Sequence, residues 1–429
     1  MAAVFAIAAS IAGLLNDFVY DDKAMLVDVT RLRGLGHWRE ILSQPYWPPP
    51  FFDTLYRPVT SLFLAFQYAI GGGSPFVCRG VSIGLYAASA VLFYSLARRL
   101  VSPKAALAAA ALWAVHPVHV EAVAQAVNQA ELLVGIGAMA MAIVYVDARR
   151  AGSVSAGQWA FLVITFALMT CAKESAFVVP ALLVLVEWLV ITGESVRARL
   201  ARLWGGYAAM LVVALAVLAL RGVVLKGQAL AGNPSAALGA APLGDRMFAM
   251  LQVVPMWLRL FVWPLRLQVD FSPAELGMPT GFGVSEAMGV VVLAGAAATI
   301  ALARKRSPAA CFGLVWCAVA LLPVSNIIPI YILLAERTLF VPSIGFFIAV
   351  AAAGQWLVAS STWPMRRAVL TAACAVLCAL GLVRSVSRQL VWNSAHLRVK
   401  PKTARGATVA LRVRGQTEGR EPNQIPRAS

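Results

Sequence analysis

Charge is what this 429-residue chain has least of: 13% of its residues are Asp, Glu, Lys or Arg and 60% are hydrophobic, against roughly 25% and 45–50% in a soluble domain. With a mean hydropathy of +0.77, that balance excludes an ordinary soluble fold. Acids are scarcer still, 19 Asp and Glu against 36 Lys and Arg, so any cluster of carboxylates calls for a reason. Short segments alternating apolar and polar, the mark of a membrane β-barrel, are missing, and runs such as 105–115 and 204–220 are apolar on every face. The sequence has no G-x-x-x-x-G-K-[ST] phosphate loop and no internal repeat. Its six cysteines, Cys78, Cys171, Cys311, Cys317, Cys374 and Cys378, lie in or beside apolar runs without zinc-type spacing and read as packing residues. Cys374 and Cys378 share a helix face, but two thiols do not make a metal site.

What the chain does have is a series of apolar runs near the length a bilayer requires, separated by short basic clusters. Only helices satisfy their own backbone there without closing into a barrel. Lys- and Arg-rich short loops stay cytoplasmic, so Arg98/Arg99/Lys104, Arg149/Arg150, Arg197/Arg199/Arg202, Arg304/Lys305/Arg306 and Arg366/Arg367 are placed inside. Spans then fall near 1–15, 76–97, 105–117, 131–147, 157–172, 176–192, 204–222, 284–303, 309–325, 342–359 and 367–383. The expected architecture is an all-α polytopic membrane protein of about 11 transmembrane helices with a large first external loop. Loops 16–75, 116–130, 223–283 and 326–341 face the periplasm or lumen. The membrane domain covers 1–383, and 384–429 is a basic, largely disordered external tail. The first span is short and lacks a basic start, which points to a start codon further upstream rather than a cleaved signal peptide. Residues 247–263 form an interfacial or re-entrant helix, and 58–70 lie along the membrane surface. The net charge of +17 reports topology rather than nucleic-acid binding. The Arg-over-Lys preference with heavy Ala, Gly and Val suggests a GC-rich bacterial genome and hence an inner membrane.

The chemistry-bearing residues all fall outside. Asn16-Asp17-Phe18-Val19-Tyr20-Asp21-Asp22 follows the first span directly. Carboxylates at a membrane boundary are costly unless solvated, paired or used, and either a solvated loop end or a general base accounts for Asp21 and Asp22. His116, His119 and Glu121 come together around Pro117, which breaks the chain between spans. The i, i+3 histidines with a nearby acid allow a metal, but hydrogen bonds to the loops or a polar substrate fit better. Glu131 opens the next span, where a helix-dipole role or a substrate role is open. Lys173-Glu174 is a turn ion pair or part of the site. Glu336-Arg337 stands alone in an apolar stretch, and a planar guanidinium at membrane depth suits a lipid phosphate, unless Arg337 simply pairs with Glu336. External acids, an arginine at membrane depth and apolar walls suit glycosyl transfer from a polyprenyl-phosphate sugar.

Taken in order, Phe18–Asp22, Tyr56-Arg57-Pro58, His116–Val123 with Glu131-Leu132-Leu133, Lys173-Glu174, and Ala335-Glu336-Arg337 through Pro342-Ser343 resemble the TMTC-like protein O-mannosyltransferases. The similarity covers roughly 14–400, including Asp270-Phe271-Ser272. It implies a GT-C bundle and metal-independent, inverting transfer, with no cofactor beyond the lipid-linked donor. Asp21 or Asp22 is then the base, Arg337 the donor-phosphate ligand, and His116, His119, Glu121, Glu131, Lys173, Glu174 and Glu336 line the substrate site. Where the family often reads Gly-Arg this chain has Asn128-Gln129, so either another arginine such as Arg57 compensates or the donor differs. Family members usually continue into TPR repeats, whereas this chain ends after Trp392-Asn393 in a basic tail. The implied partners are membrane lipid, a polyprenyl-phosphate sugar and a protein or glycan acceptor. The competing readings are a transporter or flippase of lipid-linked sugars, a membrane scaffold, and an inactive truncated family member.

Overall fold

The computed structural model describes residues 1–48, 54–193, 195–227, 235–268, 271, 273–279, 281–330, 332–360 and 364–393. Among these there is no strand. The helices run in chain order: α1 Ala2–Ser10, α2 Trp38–Ser43, α3 Pro58–Gly71, α4 Pro75–Ala97, α5 Pro103–Ala114, α6 Val120–Ala124, α7 Gln129–Arg150, α8 Ala156–Ala172 and α9 Val179–Leu189. They continue as α10 Val196–Val224, α11 Ala236–Ala240, α12 Leu243–Val262, α13 Pro273–Leu276, α14 Val284–Arg306, α15 Pro308–Leu321, α16 Phe340–Ala359 and α17 Arg366–Val391. Every segment expected to span falls on one of them. Six described helices are long and apolar enough to cross a membrane, or seven if Pro103–Ala114 and Pro117–Ala124, bent by 51°, are one span. Shorter apolar helices cover Ala2–Gly13, Pro58–Gly71, Ala156–Ala172 and Pro308–Val324. The molecule is therefore an all-α polytopic membrane protein, and the count of eleven is not reached on length and hydropathy alone.

Local sequence sets the helix starts. Proline opens α3, α4, α5 and α15, where its missing N–H costs nothing. Ser102, Ser155, Ser195 and Ser307 accept hydrogen bonds from the first turns of α5, α8, α10 and α15. At the α15–α16 crossing, a Cβ on Gly313 would collide with the carbonyl of Gly345, and one on Gly345 with that of Gly313, so the two glycines let the backbones touch. The main core gathers Tyr86, Phe93, Trp113 and Phe340, with Phe93 stacked on Trp113 at 5.2 Å.

Three features of the loops go beyond the sequence reading. The segment 116–130 is packed inside the protein: Pro117 through Leu132 are buried, because the chain bends at His116-Pro117 and continues as short helical turns. The first external segment is folded, with Phe18, Met25, Leu26, Val29, Leu32, Ile41 and Tyr46 forming a second apolar core against Leu64, Cys78, Ala126 and Val127. Arg31 pins it by donating to the carbonyls of Pro45 and Tyr46 at 2.6 and 2.8 Å. Finally, α17 runs to Val391, past the expected boundary at 383, with Ser385, Arg388 and Gln389 buried. The tail expected beyond it, like Pro49, Pro50, Asp270 and Ser272, lies outside the described residues.

Ion pairs tie helix ends together where the basic clusters lie. Arg99 bonds Asp147, and Arg149 and Arg199 both reach the buried Glu187. α7 carries Arg149 at one end and Glu131 in its first turn at the other, 22 residues in all, or about 33 Å at 1.5 Å per residue.

Candidate active site

The two adjacent aspartates have opposite environments. Asp22 is fully buried and accepts three hydrogen bonds, from Arg79 Nη1 at 2.8 Å and from the backbone N–H groups of Ala126 at 3.1 Å and Val127 at 3.0 Å. Burial raises its carboxyl above the ordinary carboxylate range, against the opposing pull of Arg79 and the two N–H groups. Asp21 is half-buried and makes no hydrogen bond to any described residue. Burial lifts its carboxyl to about 6, against 3.8 in water; Arg337 and Arg57 pull the other way, and Asp22 and Glu121 add to the rise. An acid held near neutrality without a fixed partner is poised to exchange a proton.

Around Asp21, cations and acids from distant parts of the chain pair off. Glu121 on α6 accepts from the Arg337 backbone N–H at 2.9 Å and from its guanidinium Nη1. The Nε and Nη2 of Arg337 make no hydrogen bond to a described residue, and its side chain is 20% exposed. Glu131 pairs with Lys173, whose ammonium burial pushes down and Glu131 supports. Glu174 takes Nε and Nη2 of Arg57 on one oxygen, at 3.0 and 2.8 Å, and Arg221 of α10 on the other at 2.7 Å. Burial opposes the Glu174 charge, but the two guanidinium groups hold its carboxyl down at about 2. Arg57 also stacks over Tyr46 at 5.2 Å.

Two pairings read from the sequence are therefore corrected. Lys173 and Glu174 do not pair with each other across their turn, since the extended backbone at Lys173 sends their side chains to different partners. Glu336 does not pair with Arg337: its Oε1 accepts from the Gln268 N–H at 2.6 Å and lies 3.6 Å from Arg388 Nη2, while Arg337 turns to Glu121. Neighbours in a tight helical turn point apart, so adjacency in sequence misleads here.

His116 and His119 sit in a separate buried network. His119 lies 2.9 Å from Tyr86 Oη through Nδ1 and 2.9 Å from Ser343 Oγ through Nε2. His116 Nε2 lies 3.1 Å from the Phe261 carbonyl. Among the described residues, no three His, Cys, Asp or Glu side chains gather as a metal site. In place of the family's Gly-Arg, Asn128 donates to the Glu121 carbonyl at 3.0 Å. Gln129 bonds Gln67, Ser82 and the Cys78 carbonyl. Three participants went unread in the sequence: Arg79, Arg221 and Arg388. Each is an arginine within or at the end of an apolar helix, and that cost was the available signal.

A family of sequences described as dolichyl-phosphate-mannose-protein mannosyltransferase matches residues 50–219. The chain is 26% identical to a protein O-mannosyl-transferase of Caenorhabditis elegans over 77% of its own length and 47% of that protein's. It is 26% identical to the protein O-mannosyl-transferase TMTC3 of Mus musculus over 79% of its length and 40% of that one's. Tmtc2 of Drosophila melanogaster is 33% identical over 42% of this chain and 20% of the fly protein. The chain thus spans less than half the length of these curated relatives.

Proposed function

The chain being a TMTC-like relative of the protein O-mannosyl-transferases, we propose that it is a membrane glycosyltransferase. It moves a sugar, mannose in this reading, from a polyprenyl-phosphate donor to a hydroxyl of a protein Ser/Thr or a glycan, on the periplasmic or lumenal face. The Arg-rich, Ala-heavy composition supports a bacterial inner membrane as the setting. The observation that carries the reading is the split between the aspartates. Asp22 is saturated with donors, whereas Asp21 keeps a carboxylate without a hydrogen-bond partner among the described residues, in the field of Arg337 and Arg57.

In this mechanism Asp21 accepts the proton of the acceptor hydroxyl as its oxygen attacks the anomeric carbon. The bond from that carbon to the phosphate oxygen breaks, and the electron pair leaves with the lipid phosphate. Attack opposite the leaving group inverts the centre, so a β-linked mannosyl donor gives an α-mannoside. Arg337 is the phosphate ligand this geometry favours, because Glu121 orients it through one nitrogen and the backbone, leaving Nε and Nη2 for phosphate oxygens. Arg57 is more committed, with two of its nitrogens on Glu174. Glu131, Lys173 and Glu174 hold the surrounding charges in place, and Glu336 braces the Arg337 turn from the side of α17.

The test is sugar transfer from radiolabelled polyprenyl-phosphate mannose and glucose in proteoliposomes, with peptide and glycan acceptors, in the presence and absence of EDTA. Wild type should transfer in EDTA. Asp21→Asn should lose at least about 100-fold in kcat, the scale of a general base. Arg337→Ala should lose a comparable factor with a raised donor KM. Full activity in Asp21→Asn would overturn the assignment of the base. Consumption of neither donor by folded wild type would sink the transferase reading and bring lipid-sugar translocation forward.

A further inference from the structure

Arg79 lies in a helix apolar enough to cross a membrane and is only 2% exposed. An arginine there is costly unless its donors are satisfied, and the hydrogen bonds of this one run to a single short segment. Nη1 reaches Asp22 at 2.8 Å, Nη2 the Asp17 carbonyl at 2.8 Å, and Nε the Asn16 carbonyl at 3.4 Å. Asp22 fastens the same segment on its other side to the N–H groups of Ala126 and Val127, where the chain breaks between α6 and α7. Between these anchors stands Tyr20, a non-glycine residue at φ 54°. Such a backbone persists where the surroundings over-determine it, and here they grip the chain at 16, 17 and 22. Asp21 is the residue this grip presents.

The charged groups facing Asp21 come from several elements: Arg337 from the turn before α16, Glu121 from α6, Arg57 from the start of α3, and Asp22 beside it. Lys23 on its own segment is exposed. Glu131, Lys173 and Glu174 further out are held in their own pairs. Asp22 and Arg79 contact each other directly, so Arg79 opposes the negative charge that Asp22 puts beside Asp21.

We infer that Asp22 and Arg79 are a positioning pair, which fixes Asp21 in place and, through the opposition of their charges, limits what Asp22 adds to the field of Arg337, Glu121 and Arg57 around Asp21. This rests on the reading of Asp21 as the base. Its consequence is a difference of sign. Asp22→Asn strands the Arg79 cation near Asp21 and weakens the hold of Asp21 on its proton. Arg79→Met takes the cation from Asp22, and the charge that Asp22 keeps strengthens that hold, while a proton taken up by the buried Asp22 leaves it unchanged. A pair that only filled space would move the Asp21 titration in neither variant, or in both alike.

The experiment is an infrared pH titration of the carboxylic C=O stretch in the purified full chain, with the Asp21 band assigned by its loss in Asp21→Asn. No turnover is needed. The midpoint should fall by about one pH unit in Asp22→Asn, rise by at most about one in Arg79→Met according to the charge Asp22 keeps, and stay in place in Arg79→Lys, which keeps the charge. If Arg79→Met does not purify folded, the contrast between Asp22→Asn and Arg79→Lys decides. An unmoved midpoint in folded Asp22→Asn, or shifts of one sign in Asp22→Asn and Arg79→Met, overturns the pair. Transfer kinetics run alongside should show Asp22→Asn losing kcat with donor KM within about twofold. Absent transfer in wild type would sink the enzyme reading and leave the titration to judge the pair by itself.

Discussion

A half-buried carboxylate with no hydrogen-bond partner among the described residues is a liability that a sequence selected for stability alone would lose. The folded-state value of about 6 for Asp21, against 3.8 in water, fixes the sign of two measurements. The folded protein holds the Asp21 proton more tightly than the unfolded chain does. Ionised Asp21 is therefore destabilising, with the cost absent below about pH 4, growing up to about pH 6 and complete above. Asp21→Asn should raise the unfolding free energy by on the order of 1 kcal/mol at pH 7.5 after discounting for partial exposure, and should gain nothing at pH 4. Thermal unfolding in detergent at the two pH values checks this, and a variant less stable than wild type at both would show Asp21 to be structural. Transfer should run the other way, rising with pH through about 6 as the base form fills. None of this could be decided from Asp21-Asp22 as a string, because successive residues at a loop have no assigned direction. Their difference comes from Arg79 and from the N–H groups of Ala126 and Val127, some 57 and 104 positions away.

Helices were the legible part of the fold, since an apolar run near bilayer length has few alternatives to an α-helix. The polar joints between them were legible as clusters but not as partners. Glu174 shows why: read with its neighbour it is half of a turn ion pair, yet in space it joins Arg57 at the start of α3 to Arg221 near the end of α10, just beyond α8. Arg221 anchors the opposite side of that joint by donating to the Thr54 carbonyl at 2.8 Å. Glu174→Gln takes the shared anion from the half-buried Arg57 and the buried Arg221, so it should cost about 3 kcal/mol and lower the apparent Tm sharply above pH 5. The stabilisation Glu174 supplies is complete above its unfolded value of 4.5 and fades as pH falls toward about 2, so the deficit of the variant should shrink in acid. A deficit that stays constant with pH would mean that Glu174 acts by shape rather than charge. The burial of 117–132 was not legible for a related reason: Pro117 marks the break, but composition does not reveal whether a break leads out to solvent or back into the protein.

At the scale of the molecule, the question is which side of the membrane the site faces. The charge rule puts Arg98, Arg99, Lys104, Arg149 and Arg150 in the cytoplasm. α7 carries Arg149 and Arg150 in its last turn and Glu131 in its first. The helix between Glu131 and Arg149, about 27 Å at 1.5 Å per residue, is close to the roughly 30 Å hydrocarbon core, and on that ground we propose that a site built around Glu131, Lys173 and Asp21 faces the far side. In a background with the six cysteines replaced, Lys104→Cys and Arg39→Cys place single thiols at exposed positions, the first in the opening turn of α5 and the second in the folded first segment. A membrane-impermeant maleimide applied to right-side-out vesicles should label Arg39→Cys, and should reach Lys104→Cys only after permeabilisation. Labelling of both from one side would break the equation of α7 with a full crossing. The reversed pattern would turn the site toward the cytoplasm, where nucleotide-linked sugars are at hand, and would remove the main reason for choosing a lipid-linked donor.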